Sequence, residues 1–296
     1  MSICVQRQGR KIMKRSTWLV TGASSGLGLA LSEYVLGQGD RVVLTGRNMH
    51  PMRQVAHNYP GAAHVVPLDV TNAQERRHAV QQAEFRFGGV DILVNNAGID
   101  FIGAIEEQEE KDYRAIYEVN LFGPIELLRL VLPGMRRRRQ GTVVNISSMN
   151  GFASVAGNGF YSSSKFALEG LTEALRQEIE PIGLRAFVVQ PGSFRTGIEA
   201  RTRASGVGIE DYVATAGMFR DMASKVTPDW FPGDPARAAK AIYEAVKSER
   251  TPPWLILGSD AHRTIGAKLD QLKSVHKESE ELASRTDYPT SESATR

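Results

Sequence analysis

Apolar residues along the chain fall into short dense runs separated by longer amphipathic stretches. The runs are STWLVTG (16–22), RVVLTG (41–46), AHVVPLDV (63–70), DILVNNAG (91–98), GTVVNIS (141–147), LRAFVVQPG (184–192) and PPWLILG (252–258). Each is too short for a typical helix, so the pattern predicts seven strands. Valine, leucine and isoleucine follow one another with little polar alternation, as in strands covered on both faces. Helical spacing fills the intervals. Leu27, Ala30, Leu31 and Tyr34 share a stripe of a helix over 27–36, with Gly37 as its stop. Thr71 and Gln74 have the spacing of a capping box for the helix after the third strand. Asp234–Pro235 makes an N-cap and first-turn pair for a later helix. Strands and helices in steady alternation predict an α/β fold, a parallel, doubly wound sheet flanked by helices.

Two regions depart from that rhythm. Residues 197–233 hold no strand pattern and scatter Met218, Phe219, Met222, Trp230 and Phe231 through polar sequence. A long insertion beside strand ends reads as a lid over a site. Beyond Gly258, Ile265, Leu269, Leu272 and Val275 mark an amphipathic helix that turns polar and is expected to fray after Lys277. The expected organisation is a flexible basic arm over 1–16, a main domain over 17–258 and a helical extension over 259–296.

Composition narrows the picture a little. Of 296 residues, 42% are apolar and 23% charged, as in soluble globular proteins. No stretch is long and apolar enough to span a bilayer, and the N-terminus lacks the apolar core of a secretory leader. Arg7, Arg10 and Lys11 precede Met13, an alternative start, so the net charge of +3 would vanish without them. Cys4 is the sole cysteine, which excludes an internal disulfide and favours a cytoplasmic location. His50, His57 and His64 have no cysteine or acid at zinc-site spacing, so no metal is expected. The run Arg136–Arg139 reads as a solvated helix end rather than a nucleic-acid patch, since no aromatics interleave it.

Chemistry gathers at a few motifs. TGASSGLG follows the first run and opens the first helix, with Thr21, Gly22, Gly26 and Gly28 in a Gly-x-x-x-Gly-x-Gly spacing. Glycine lets backbone turn tightly and approach a ligand, and a helix N-terminus offers unpaired N–H groups. Together they would cradle a phosphate; the other reading is only a tight turn. The second strand ends at Arg47-Asn48 with no acid to bond a ribose 2′-hydroxyl. Arg47 offers a planar fork to a 2′-phosphate instead, which favours NADP(H), unless the side chain is merely solvated. In FYSSSKFA, Tyr161 and Lys165 lie four positions apart on one helix face. A phenol of pKa about 10 is a poor acid or base at neutral pH, and a nearby ammonium would lower it. The pair is either a tuned acid–base couple or a half-buried tyrosine beside a solvated lysine.

Taken together, TGASSGLG (21–28), LDV (68–70), NNAG (95–98), Asn120 in EVNLFG, Ser148 in NISS, YSSSK and PGSFRT (191–196) resemble the motifs of the short-chain dehydrogenase/reductase family. They occur in the family's order, and Ser148 stands thirteen positions before Tyr161, as the family requires. The resemblance spans about 17–258. It implies a single Rossmann-type domain with a seven-stranded sheet, and hydride transfer between NADP(H) and a carbonyl or alcohol. Tyr161 would be the general acid in reduction and base in oxidation. Lys165 would lower its pKa and hold the nicotinamide ribose. Ser148 would donate a hydrogen bond to the carbonyl oxygen, and Asn120 would hold a water linking Lys165 to solvent. Gly22, Ser24, Ser25, Gly26, Leu27 and Gly28 would surround the phosphates, with Arg47 and Asn48 beyond the second strand. Asp69 would bond the adenine amino group with Val70 beside the ring. Asn96, Ala97 and Gly98 would line the adenosine ribose, and Pro191, Gly192 and Thr196 the nicotinamide. Each has a plain structural alternative: Asp69 as a helix-start acid, Ser148 as a strand-end hydroxyl, Asn120 as a helix-kink residue.

The substrate pocket is less legible. Met149, Asn150, Phe152, Phe194, Met218, Phe219, Met222 and Trp230 are candidates, and each could equally be core or lid packing. Their apolar character points to a hydrophobic small-molecule ketone, aldehyde or alcohol, with no nucleic-acid or membrane partner. The resemblance also implies a homodimer or homotetramer. The competing function is a non-enzymatic NADP(H)-binding regulator on the same fold.

Overall fold

A computed structural model describes residues 15–197 and 202–288. The expectations about Cys4, Met13 and residues 1–14 of the arm expected over 1–16 lie outside the described residues, as do those for 198–201 and 289–296.

The chain runs from β1 (Thr17–Val20) through α1 (Gly26–Gly37), β2 (Arg41–Gly46), α2 (Met49–His57), β3 (Ala63–Pro67) and α3 (Ala73–Phe87) to β4 (Ile92–Asn95). A two-residue β5 (Phe101–Ile102) precedes α4 (Glu110–Tyr117) and, after a π-helical turn at Glu118–Phe122, α5 (Gly123–Arg138). Then come β6 (Thr142–Ile146), α6 (Gly159–Ile179), β7 (Arg185–Pro191), β8 (Arg203–Ala204) and α7 (Met218–Lys225). The chain closes with α8 (Pro235–Lys247), β9 (Trp254–Leu257) and α9 (Ser259–Ser284). Seven strands form one sheet in the order β3-β2-β1-β4-β6-β7-β9. Every pairing in it is parallel, with Val20 in register between Leu44 and Val94. This is the expected doubly wound, Rossmann-type sheet. The strand order reverses between β1 and β4, and a crevice opens there beyond the carboxyl ends of the strands.

The continuous apolar runs arise because side chains on both faces are covered. Trp18, Val20, Val42 and Leu44 point to the layer of α1 and α8, against Leu31, Val35, Ile242 and Val246. Leu19 and Val43 point the other way, against Val80 of α3, Leu127 and Val131 of α5 and Leu175 of α6. Leu31 and Leu127 are fully buried; truncating either to alanine would cost about 2–5 kcal/mol.

Some local expectations need correction. The cap of α3 is Asn72, whose Oδ1 accepts from the N–H groups of Gln74 (2.9 Å) and Glu75 (3.2 Å). Thr71 is unavailable for that role because both its N–H and its hydroxyl donate to Asp69 Oδ1. Helix α1 runs through Gly37, and the left-handed residue that ends it is Gly39, at φ +88°. β9 is an edge strand, and Trp254 and Ile256 lie on its exposed side, so that run is covered on one face only. Residues 203–204 do pair as a strand, β8 with β5, inside the stretch read as strandless. The C-terminal helix does not fray at Lys277 but continues to Ser284, with Ile265 buried and Leu269, Leu272 and Val275 exposed. Asp234 caps α8 as expected, accepting from Ala236 N at 2.8 Å. The arginine run forms the last turn of α5, where Arg138 donates to the Val90 carbonyl at 2.8 Å.

Candidate active site

The first turn after β1 is locked to the turn after β4. Thr21 Oγ1 accepts from the backbone N–H groups of Asn96 (2.9 Å) and Ala97 (3.0 Å), and Asn96 Nδ2 donates back to the Thr21 carbonyl at 2.8 Å. Gly28 is forced by this contact: a Cβ there would sit 2.4 Å from Asn96 Nδ2 and 2.6 Å from the Gly22 oxygen. Gly22 and Gly26 take left-handed φ values of +63° and +55°, which bend the chain sharply into α1. The result is a helix N-terminus facing a cleft, with backbone close enough to receive a phosphate.

That cleft has a volume of about 950 Å³. Gly22, Ser24, Ser25, Gly26, Leu27, Arg47, Asn48, Asp69, Val70, Asn96, Ala97, Gly98, Pro191, Gly192 and Thr196 all line it. Gly28 does not; it lies behind the lining and acts by letting α1 approach Asn96. Asp69 does not cap α3, since Asn72 does. Gly192 is fixed from an unexpected quarter. Asp260, in the first turn of α9, accepts from Ser193 N at 2.7 Å, and a Cβ on Gly192 would collide with its carboxylate.

At the far end of the cleft stand Ser148, Tyr161 and Lys165. Ser148 follows β6, and its Oγ accepts from Asn150 N at 3.1 Å. The Ser148 side chain stands close enough to the Tyr161 phenol to favour its ionised form. Lys165, one turn along α6, donates from Nζ to the Ile146 carbonyl at 2.9 Å, and its Nζ lies 5.7 Å from the centre of the Tyr161 ring. Asn120 is not on the lining. It is buried in the π-helical turn, where its side chain clamps both backbone polar groups of Ile99 at 2.9 and 3.0 Å and also donates to Ser164 Oγ. Both N–H donors of its amide are thereby engaged, in a π-helical turn of the kind frequent at functional sites.

Burial dominates the electrostatics of the pair. It pushes the Tyr161 phenol above its ordinary value, and the Asp100 carboxylate pushes it further, against the opposing influence of the Ser148 side chain. Burial is the largest of these influences. Lys165 is itself pushed down to about 8 by burial, against the opposing pull of Asp100 and Glu169.

Of the substrate candidates, Met149, Asn150, Phe194, Phe219 and Met222 line the cleft. Phe152, Met218 and Trp230 do not; Met218 faces solvent because α7 presents Phe219 and Met222 inward, and Trp230, in the turn after α7, faces solvent as well. Ala223, Val226 and Phe231 complete that wall. Sequence reasoning missed two acids. Glu169, one turn beyond Lys165, accepts from Ser147 Oγ (2.6 Å) and Gln190 Nε2 (2.8 Å) beneath the site. Asp100, two residues past NNAG, lines the cleft and is held by Asn158. Spacing from the recognised motifs is the only sequence signal that could have found either.

A family model described as short chain dehydrogenase matches residues 16–206. Oxidoreductase BOA17 of Botryotinia fuckeliana is 30% identical over 268 residues, which cover 90% of this chain and 97% of that protein. A 3-ketodihydrosphingosine reductase of Bacteroides thetaiotaomicron is 40% identical over 179 residues, 60% of this chain and 64% of that protein. A solved short-chain dehydrogenase from Streptomyces avermitilis has a TM-score of 0.86 and 39% identity, covering 93% of this chain and 100% of that one.

Proposed function

The chain belongs to the short-chain dehydrogenases, an oxidoreductase family, and from that premise we propose that it interconverts a hydrophobic ketone or aldehyde with its alcohol, using NADP(H). The observation that carries the reading is the meeting of Ser148 and Tyr161 at one wall of a cleft whose other end is the glycine turn. The glycine turn fits a dinucleotide: at Gly28 no side chain could be accommodated, and the turn delivers a helix N-terminus to the cleft. The chemistry that a bound nicotinamide dinucleotide contributes is hydride donation or uptake at the carbonyl carbon.

The chain's own residues do the rest. Ser148 orients the carbonyl oxygen by a donated hydrogen bond and stabilises charge that develops on it. Tyr161 gives its proton to that oxygen in reduction and recovers it in oxidation. Burial and the Asp100 carboxylate keep the phenol protonated, and proton transfer to the substrate oxygen requires that its pKa fall once positive charge is brought beside it. Lys165, anchored on Ile146, supplies positive charge beneath the ring and reaches the ribose side of the cleft. Asn120 fixes the Ile99 backbone next to them. Arg47, exposed at the end of β2 and on the cleft rim, pairs with a 2′-phosphate and sets the preference for NADP(H).

The 3-ketodihydrosphingosine reductase among the relatives acts, by its name, on a ketone, which supports carbonyl reduction here. Among the described residues no helix is long and apolar enough to cross a membrane, and we place the enzyme in the cytoplasm. Phe122 and Phe166, exposed beside the Asn120 turn and on α6, suit a homodimer or homotetramer interface. The test is absorbance of the reduced nicotinamide, with NADPH or NADH and a panel of hydrophobic carbonyls. NADPH consumption well above NADH consumption is the expected result. Tight NADPH binding with no turnover across the panel would favour the non-enzymatic regulator instead.

A further inference from the structure

One charged group on the cleft wall neither gives nor takes the reacting proton. Asp100 lines the cleft together with Ser148, Asn150 and Tyr161. Both its carboxylate oxygens accept from Asn158 Nδ2, at 3.0 and 2.8 Å. Asn158 is buried, and its amide oxygen accepts from Asn150 Nδ2 at 3.4 Å. Asn150 in turn donates its backbone N–H to Ser148 Oγ at 3.1 Å. A continuous hydrogen-bonded run thus joins the carboxylate to the hydroxyl that meets Tyr161.

The hydrogen-bond donor to Asp100 in that run, the Asn158 amide, is neutral. Lys165, the cation whose charge reaches it, is tied to the Ile146 carbonyl. Burial pushes the Asp100 carboxyl up to about 6, so it is mostly ionised at neutral pH without a direct counter-ion. Such a carboxylate gains strongly from a cation brought into the cleft. The neighbouring wall is apolar, with Ile102, Val155, Phe219, Met222 and Phe231.

We propose that Asp100 is the recognition point for a cationic group of the substrate, so that the molecule turned over is a hydrophobic amino ketone or amino alcohol with its ammonium close to the reacting carbon. This rests on the reading of Ser148 and Tyr161 as the carbonyl site. The oxygen of the substrate lies between those two hydroxyls, the ammonium turns toward Asp100, and the hydrocarbon runs along the apolar wall of α7. The ammonium also offsets the negative charge that holds the Tyr161 proton, so the substrate eases its own protonation.

The experiment uses the full chain with NADP⁺ and two alcohols of equal carbon number, a 2-aminoalkan-3-ol and the matching alkan-3-ol, at pH 7.5. The expected result is a kcat/KM for the amino alcohol on the order of 100-fold above its twin, as for a close, partly buried charge pair. Asp100→Asn should bring the ratio close to one, and Asp100→Glu should keep part of it. NADPH binding to each variant, followed by nicotinamide fluorescence, checks that the fold is intact. In the wild type, a long-chain alkylamine should compete with substrate better than the alkanol of the same length. Equal turnover of the two alcohols by the wild type would overturn the inference and leave the carbonyl reading standing. So would a preference that survives Asp100→Asn. Failure to oxidise either alcohol, or to reduce the matching ketones, would overturn the carbonyl reading and this inference with it.

Discussion

The two halves of the cleft are built on different terms. Its cofactor end is made of backbone: Gly22, Gly26 and Gly28 sit within contact of Asn96, Ala97 and Thr196, and the turns after β1 and β4 exchange hydrogen bonds through Thr21 and Asn96. Its other end is made of side chains on short elements: Phe219 and Met222 line it while Met218, on the same helix, faces solvent. One buried ion pair, Glu107 with Arg220 at 2.8 Å, ties α7 to the loop beyond β5. Where backbone approaches backbone, few residue types are admissible. Where apolar side chains line a wall, many are, and chemistry can be altered without touching the floor.

Five substitutions probe that contrast, from the largest effect downward. Tyr161 stands where the halves meet. Tyr161→Phe should lower kcat by about 10²–10⁴-fold, the usual share of a general acid, while NADPH affinity survives. Turnover near the wild-type rate would remove tyrosine from the mechanism. Gly28→Ala should disable the floor. The added methyl forces the Asn96 turn away, so NADPH affinity should drop at least about 10-fold, with a stability loss of about 1–3 kcal/mol by urea titration.

Arg47→Glu tests the floor's specificity without its shape. The NADPH-to-NADH ratio of kcat/KM should fall by about 10–100-fold, one or two charge-assisted hydrogen bonds. An unchanged ratio would mean that Arg47 is only solvated. Asp100→Asn carries a pH signature. In the folded state the carboxyl is raised to about 6 from the usual 3.8, so the native protein binds the proton more tightly than the unfolded chain. The stability Asp100 lends is therefore fully present below pH 3.8 and lost as pH rises through 6. The variant should gain on the wild type across that window by about 1–3 kcal/mol and hold the gain above it. A gap that does not change with pH would mean the carboxyl is not perturbed. Smallest is Met222→Ala on the lid, which should raise KM a few-fold for a hydrophobic carbonyl with little change in NADPH affinity. An equal loss of NADPH affinity would show that lid and floor are not separable.

The same contrast explains what the chain disclosed before folding. The glycine turn and NNAG were legible because close approach of backbone to backbone admits few alternatives, and YSSSK because the spacing of Tyr161 and Lys165 puts both on one wall of the cleft. The seven strands were legible because both faces of the sheet demand apolar residues. Phe152, Met218 and Trp230 could not be sorted from Phe219 and Met222, since which apolar residue of a short helix faces inward depends on how that helix docks. Asp100 and Glu169 went unread for a related reason. A single acid in a loop or on a helix gives no periodic signal, and its importance comes from what tertiary packing places around it. The end of α1 and the cap of α3 each moved by one or two residues, the ordinary margin for helix boundaries.

The strand order has a consequence for how the molecule is made. From β1 the sheet extends outward through β2 to β3, and then from β1 the other way through β4, β6, β7 and β9. Each strand leaving the ribosome therefore joins a free edge, and none has to part a ladder already formed. The glycine turn, Arg47, Asp69 and NNAG are all translated before the Ser148 and Tyr161 segment exists. Between Asn95 and Thr142, however, the nascent sheet carries β4 as a bare apolar edge. Bare edges of this kind are templates for association. Chains halted in that interval should aggregate, and so should those halted before β7 covers the equally apolar edge of β6.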